Sequence, residues 1–146
     1  MQLTRYSDYS LRVLIYLAVR PERLATIEEI SAAYEISRAH LMKVVHQLGR
    51  GGFVETLRGR GGGLQLARPA EEIGIGDVVR FTEDRLKLVE CFDVATSSCR
   101  IEKACGLRSV LAEALEAFID TLDRYTLADL INRRRTALER ILEIAP

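Results

Sequence analysis

Apolar positions recur at helical spacing through the first third of the chain and at strand spacing just beyond it. Within "YSDYSLRVLIYLAV", residues 6–19, Tyr9, Val13, Tyr16 and Leu17 share one face, the period of an amphipathic helix. Ser7 or Asp8 is placed to cap its start, and Pro21 to end it. In "ATIEEISAAYE", Thr26 precedes Glu29 by one helical turn, a capping box ahead of Ile30, Ala33 and Tyr34. After a short turn, "ISRAHLMKVVHQLGRGG" offers Ser37 as a cap and a stripe of Leu41, Val44, Val45 and Leu48. It stops at Gly49, Gly51 and Gly52.

The period then changes. "FVETLRG" and "GLQLAR" alternate in polarity around "RGRGGG", a hairpin whose loop needs the backbone freedom of glycine, and Pro69 closes the unit. "IGIGDVVRFTED" predicts a short helix from near Gly76 and Asp77. From Gly106 the longest stripe begins: Leu107, Leu111, Leu115, Phe118, Leu122 and Tyr125, flanked by Val110, Ala114 and Ile119. It predicts a helix of roughly 24 residues, about 36 Å long. So small a protein has little core for such a helix to cover, so it is expected to pack against its copy in a second subunit. The alternative is a helix lying across its own domain. The tail "NRRRTALERILEIAP" sets Leu138, Ile141 and Leu142 in a short closing helix.

The fold class expected is therefore mainly α with a small β-hairpin wing: a winged helix-turn-helix plus a long C-terminal dimerisation helix. Residues 1–76 form the DNA-binding unit, 77–106 a short helix and a cysteine-bearing loop, 107–131 the dimerisation helix, and 132–146 the tail. Because 48% of residues are hydrophobic and only three are proline, the chain can bury a core. No window reaches about 18 uncharged apolar residues, so no membrane span is expected. The start lacks the pattern of an export signal. An odd count of three cysteines without such a signal points to the reducing cytoplasm.

Charge adds direction. Formal net charge is zero, yet residues 1–68 carry ten Lys/Arg against six Asp/Glu, and the remainder eleven against fifteen. Between Ile36 and Arg68 the basic residues Arg38, Lys43, Arg50, Arg58, Arg60 and Arg68 face the single acid Glu55. A basic half meets a polyanion. In a helix-turn-helix, "SRAHLMKVVHQL" lies in the major groove. Ser37, Arg38, His40 and Lys43, off the apolar stripe, then face base edges. Arg58 and Arg60 at the wing tip reach a minor groove or phosphates. The blander reading is a solvated charged face. "GRGGG" is not a phosphate loop, because no Lys-Ser/Thr follows at the required offset.

Cys91, Cys99 and Cys105 all fall within "VECFDVATSSCRIEKACGL". Their wide spacing matches neither a zinc knuckle nor a plant-type iron–sulfur motif. The turn-prone "DVATSS" nevertheless lets the segment wrap one centre. Three readings stand: small buried hydrophobes, a zinc site, or an iron–sulfur or other redox site, since thiolates are soft ligands. A cluster needs a fourth donor beyond these sulfurs. No acid–base pair or oriented nucleophile suggests an enzyme.

"MQLTRYSDYSLRVLIYLA", "ISRAHLMKVVHQLGRGGFVETLRGRGGGLQLARP", "VECF" ahead of "C-x-I-x-x-x-C-x-L", and "LDRYTLADL" resemble the NsrR group of bacterial winged-helix repressors. These are the nitric-oxide sensors of the iron–sulfur regulator family that also includes IscR. The resemblance covers residues 1 to about 131. It implies a homodimer bound to palindromic operator DNA, with an iron–sulfur cluster held by Cys91, Cys99 and Cys105. It implies Asp8 as the fourth ligand, from the first helix of the other subunit. Glu90 and Asp93 are weaker rivals, and without the resemblance Asp8 reads as a surface acid paired with Arg12. His40 and His46 are poor candidates, as both lie on the candidate recognition helix. IscR-like proteins carry a histidine three residues past the last cysteine. Here that residue is Arg108, and charged arginine is no ligand. A 4Fe–4S cluster is therefore expected over 2Fe–2S, with nitric oxide as effector. The alternative is a cluster-dependent regulator of redox state, iron or cluster supply.

Overall fold

A threonine, rather than the expected serine or aspartate, starts the first helix. In the computed structural model, which describes residues 2–83, 86–93, 95 and 97–144, α1 spans Arg5–Val19. Thr4 is extended, and its hydroxyl accepts from the Ser7 amide at 3.2 Å. Ser7 is thereby turned inward and fully buried, while Asp8 is left on the surface of the first turn. α1 lies at the centre of the core, with Val13, Leu14 and Val19 inaccessible to solvent.

The next two helices follow their sequence signals. α2, Ile27–Tyr34, opens with the capping box in which Glu29 accepts from the Thr26 amide at 2.7 Å. It ends at Glu35, which takes the left-handed conformation (φ 53°) and turns the chain sharply. α3, Arg38–Arg50, is capped by Ser37, and its stripe Leu41, Val44, Val45 and Leu48 is buried. Helix-turn-helix geometry results.

Phe53, packed at 5.3 Å on Phe81, leads into β1, Val54–Leu57. β2, Gly63–Leu66, pairs with it antiparallel, Val54 opposite Leu66 and Leu57 opposite Gly63. Ala25 adds a bridge to Leu64, fastening the hairpin to the segment before α2. The turn places Gly59 and Gly61 at φ 110° and 79°, where a side chain is strained. Gly62 is required for another reason: a Cβ there would sit 2.2 Å from the Leu57 carbonyl oxygen. The unit is a winged helix-turn-helix.

α4, Ile75–Thr82, starts just ahead of the expected position and presents Ile75, Val78 and Val79 to the core. Asp84, the last residue of its predicted stretch, lies outside the described residues. The expected continuous helix over 107–131 is instead two. α5, Gly106–Asp123, has 18 residues and no buried side chain. The chain then turns, and Thr126 with Asp129 forms a second capping box. That box starts α6, Leu127–Ile131, which buries Leu127, Ala128 and Ile131. Tyr125, expected on the stripe, falls in the turn and is exposed. Backbone bonds from Ile75 to Tyr125 (2.9 Å) and from Leu127 to Ile73 (2.8 Å) tie this turn to the start of α4.

The tail forms α7, Arg135–Ile141. Leu142 and Ile144 close the core, whereas Ile141, expected inside, is 73% exposed. The Arg135 guanidinium donates to the Val19 carbonyl at the end of α1, satisfying an acceptor that the helix leaves unpaired. Arg20 pairs with Glu139 at 2.9 Å.

Candidate DNA interface and thiol segment

Because α3 buries one stripe, its other residues are forced outward. Ser37, Arg38, His40, Met42, Lys43 and His46 are all exposed. Arg58 and Arg60 are exposed on the hairpin turn. Ser37 is both on this surface and occupied as the cap, so its hydroxyl accepts from the His40 amide at 3.4 Å. A groove of about 450 Å³ runs between α2, α3 and the hairpin, lined among others by Glu28, Arg38, Met42, Leu57 and Arg58. Arg38 forms an ion pair with Glu28 across the two helices. That pair was not anticipated from sequence, because the two residues lie on separate helices.

Asp8 and Arg12 pair through two contacts, at 2.9 Å and 3.1 Å. The Arg12 guanidinium sits 5.9 Å from the ring centres of both Tyr9 and Tyr34, within cation–π range. Tyr9 in turn lies 6.3 Å from the His40 ring. A run of contacts therefore links Asp8 to the start of the recognition helix. Burial pushes the Tyr34 hydroxyl up to about 12, against the opposing charge of Arg12.

The thiol segment leaves α4 and re-enters regular structure at α5. Cys91 is buried in a 3-10 turn, Glu90–Phe92, while Cys99 and Cys105 are half-buried on either side of a second turn, Glu102–Ala104. Val94 and Thr96, in the turn-prone run between the first two cysteines, lie outside the described residues. All three thiols are free. Among the described residues, no three His, Cys, Asp or Glu side chains gather as a metal-holding group. Asp8 is with Arg12 rather than with the thiols. The rival acids are engaged as well: Glu90 accepts from Ser98 at 3.2 Å, and Asp93 pairs with Lys87. Arg108 lies 3.8 Å from Glu102.

The donor set nonetheless fits an iron–sulfur group by chemistry. Three unpaired soft donors lie on one segment of short 3-10 turns between α4 and α5, and Asp8, with its side chain 47% exposed, offers an oxygen donor on an accessible surface. Glu83 is a neighbour of the Asp8 turn that sequence did not disclose. Its carboxylate accepts from the Thr4 amide (2.8 Å), the Thr4 hydroxyl (3.0 Å) and the Ser7 hydroxyl. It joins the last residue of α4's exit to the turn carrying Asp8. Burial raises the Glu83 carboxyl, but the donors on Ser7 and Thr4 outweigh it and hold it below its ordinary value.

Comparison with known proteins gives a consistent picture. The family model for Rrf2, described as "Iron-dependent Transcriptional regulator", matches residues 3–133. The HTH-type transcriptional regulator NsrR of Bacillus subtilis is 52% identical over 140 residues, covering 95% of this chain and 96% of its own. The regulator of the same name from Halalkalibacterium halodurans is 47% identical over 147 residues and covers all of both chains. Among solved structures, T. potens IscR superposes with a TM-score of 0.73 at 25% identity, covering 94% of this chain and 90% of its own. The oxidized form of Staphylococcus aureus CymR gives 0.71 at 28%, covering 89% and 95%.

Proposed function

The chain belongs to the Rrf2 family of iron-dependent transcriptional regulators, and on that premise we infer that it is a homodimeric repressor whose operator binding is governed by an iron–sulfur cluster sensitive to nitric oxide. Its relatives are regulators and not enzymes. The observation that carries the reading is the position of three free thiols on the one segment joining the DNA-reading unit to α5. Cys91, Cys99 and Cys105 would hold the cluster, with Asp8 of the second subunit as fourth donor. Arg108 in place of a histidine favours the 4Fe–4S form. When bound, such a group supplies iron with an exchangeable oxygen ligand, at which nitric oxide reacts.

The chain's own residues supply the rest. α5 exposes Leu107 and Val110 at 60% each, with Ile101 beside them at 63%, an apolar face suited to its copy in a second subunit. Arg38, His40 and Lys43 read base edges, Ser37 orients the start of the helix, and Arg58 and Arg60 grip the backbone through the wing. Asp8 drawn toward the thiols leaves Arg12, and Arg12 contacts Tyr9 beside His40. Arg12, Tyr9 and His40 would thus carry a change at Asp8 to the recognition helix.

Iron and sulfide analysis of anaerobically purified protein, with absorption spectra before and after nitric oxide, tests this. Iron and sulfide in equal amounts and a spectrum altered by nitric oxide are expected. Stoichiometric zinc without iron or sulfide refutes the sensor.

A further inference from the structure

We propose that Glu28 is a positioning and specificity-determining residue: from α2 it orients the Arg38 guanidinium so that its remaining donors meet a guanine edge. The inference rests on the base-reading role assigned to Arg38 above. Glu28 lies in the first turn of α2, but the capping box there is completed by Thr26 and Glu29. Its carboxylate is therefore not consumed in starting its own helix. Instead Glu28 Oε1 meets Arg38 Nη2 across the helix-turn-helix.

Three features make this more than an ordinary surface pair. Arg38 is the first residue of α3, the end of a recognition helix that approaches bases. Its side chain is 66% exposed, so one contact to Glu28 leaves the guanidinium reachable from outside. Among the described residues, Glu28 is also the only acid lining the groove that holds Arg38 and Arg58. A free arginine loses much rotamer freedom on docking. One already held by a carboxylate has lost part of it beforehand, and its fork is aimed for a bidentate contact to guanine. The same carboxylate repels phosphates, so it disfavours backbone-only binding. Both effects raise the ratio of specific to non-specific affinity. A simple competitor for Arg38 would lower both affinities without raising that ratio.

The experiment uses the full chain, purified anaerobically, and a duplex selected by the wild-type protein from a random pool. Binding to that duplex and to a scrambled one is measured at one salt concentration for wild type, Glu28→Gln, Arg38→Gln and the double variant, with folding checked by circular dichroism. Glu28→Asp, which keeps the charge on a shorter stem, is measured alongside. Glu28→Gln should lower the specificity ratio about twofold to fivefold, the scale of an exposed ion pair. The same change in the Arg38→Gln background should lower the ratio by clearly less, because only the repulsion of phosphates is left to lose, and Glu28→Asp should lower it too. An unchanged or raised ratio in Glu28→Gln overturns the proposal, as does an equal fall without Arg38 or full retention in Glu28→Asp. If Arg38→Gln itself leaves the wild-type ratio intact, the underlying assignment of Arg38 fails instead.

Discussion

Replacing Glu83 by alanine removes three hydrogen bonds at once. The acceptor is lost to the Thr4 amide and hydroxyl, at 2.8 and 3.0 Å, and to the Ser7 hydroxyl. Ser7 is wholly buried, so its hydroxyl cannot turn to water, although it keeps its 3.0 Å contact with Thr4. Bonds to a carboxylate are worth more than neutral ones, but Glu83 is only half-buried, which screens them. Together they give a loss of about 2 kcal/mol. At an ordinary urea dependence this moves the unfolding midpoint down by roughly 1 M. The carboxyl is held below its ordinary value of 4.5 by Ser7 and Thr4 in spite of burial. Its contribution is therefore present above that value and fades as pH falls through the lower, folded one. Urea titration followed by circular dichroism at pH 7 and pH 4, at fixed protein concentration, measures both parts. Glu83→Gln keeps the shape without the charge and should fall between the wild type and alanine. A midpoint for Glu83→Ala within error of wild type at pH 7 refutes the reasoning. So does a difference that is undiminished at pH 4.

Arg60→Ala should weaken operator binding and lessen its salt dependence by about one phosphate contact, with an unchanged melting temperature; unaltered binding at moderate salt removes Arg60 from the interface. Gly62→Ala forces a Cβ toward the Leu57 carbonyl oxygen and should cost about 1–3 kcal/mol together with DNA affinity; a variant as stable as wild type shows that the hairpin turn yields freely. Leu142→Ala, at a site 6% exposed in the core, should cost about 2–4 kcal/mol in chemical denaturation. A loss below about 0.5 kcal/mol would mean that the tail does not close the core.

Elements fixed by neighbours in sequence were legible. The Thr26–Glu29 box, the Ser37 cap, the α3 stripe and the glycine-rich hairpin each depend on residues a few positions apart. Thr4 was harder to distinguish from Ser7 and Asp8, since Glu83, 79 residues away, is what fastens that turn. The break after α5 did leave a signal, Thr126 followed by Asp129. It was hidden because Leu122, Leu127 and Ile131 sustain an apolar pattern across the turn. The solvent-facing side chains of α3 could be read from the stripe they avoid. For the thiols, spacing marked three candidate donors on one segment, and Asp8 entered as the expected fourth through family resemblance alone. The pairing of Glu28 with Arg38 had no sequence signature, because it depends on how two helices cross.

α5 is pinned at one end. Arg80 grips Asp123 with bonds of 3.0 and 2.7 Å, and the backbone bridge at Gly74 and Thr126 sits directly behind. The opposite end begins at Gly106, immediately after Cys105, where Leu107 and Val110 stand clear of the core. Eighteen residues make a boom about 27 Å long. Swinging it by about 5° around Asp123 carries the sulfur end through an arc of roughly 2 Å. Gearing of this kind runs both ways: ångström-scale rearrangement among the thiols becomes only a few degrees at the winged unit. In the cluster-bearing dimer inferred above, control of operator binding would rest on small changes in tilt between two readers rather than on wholesale unfolding of either one.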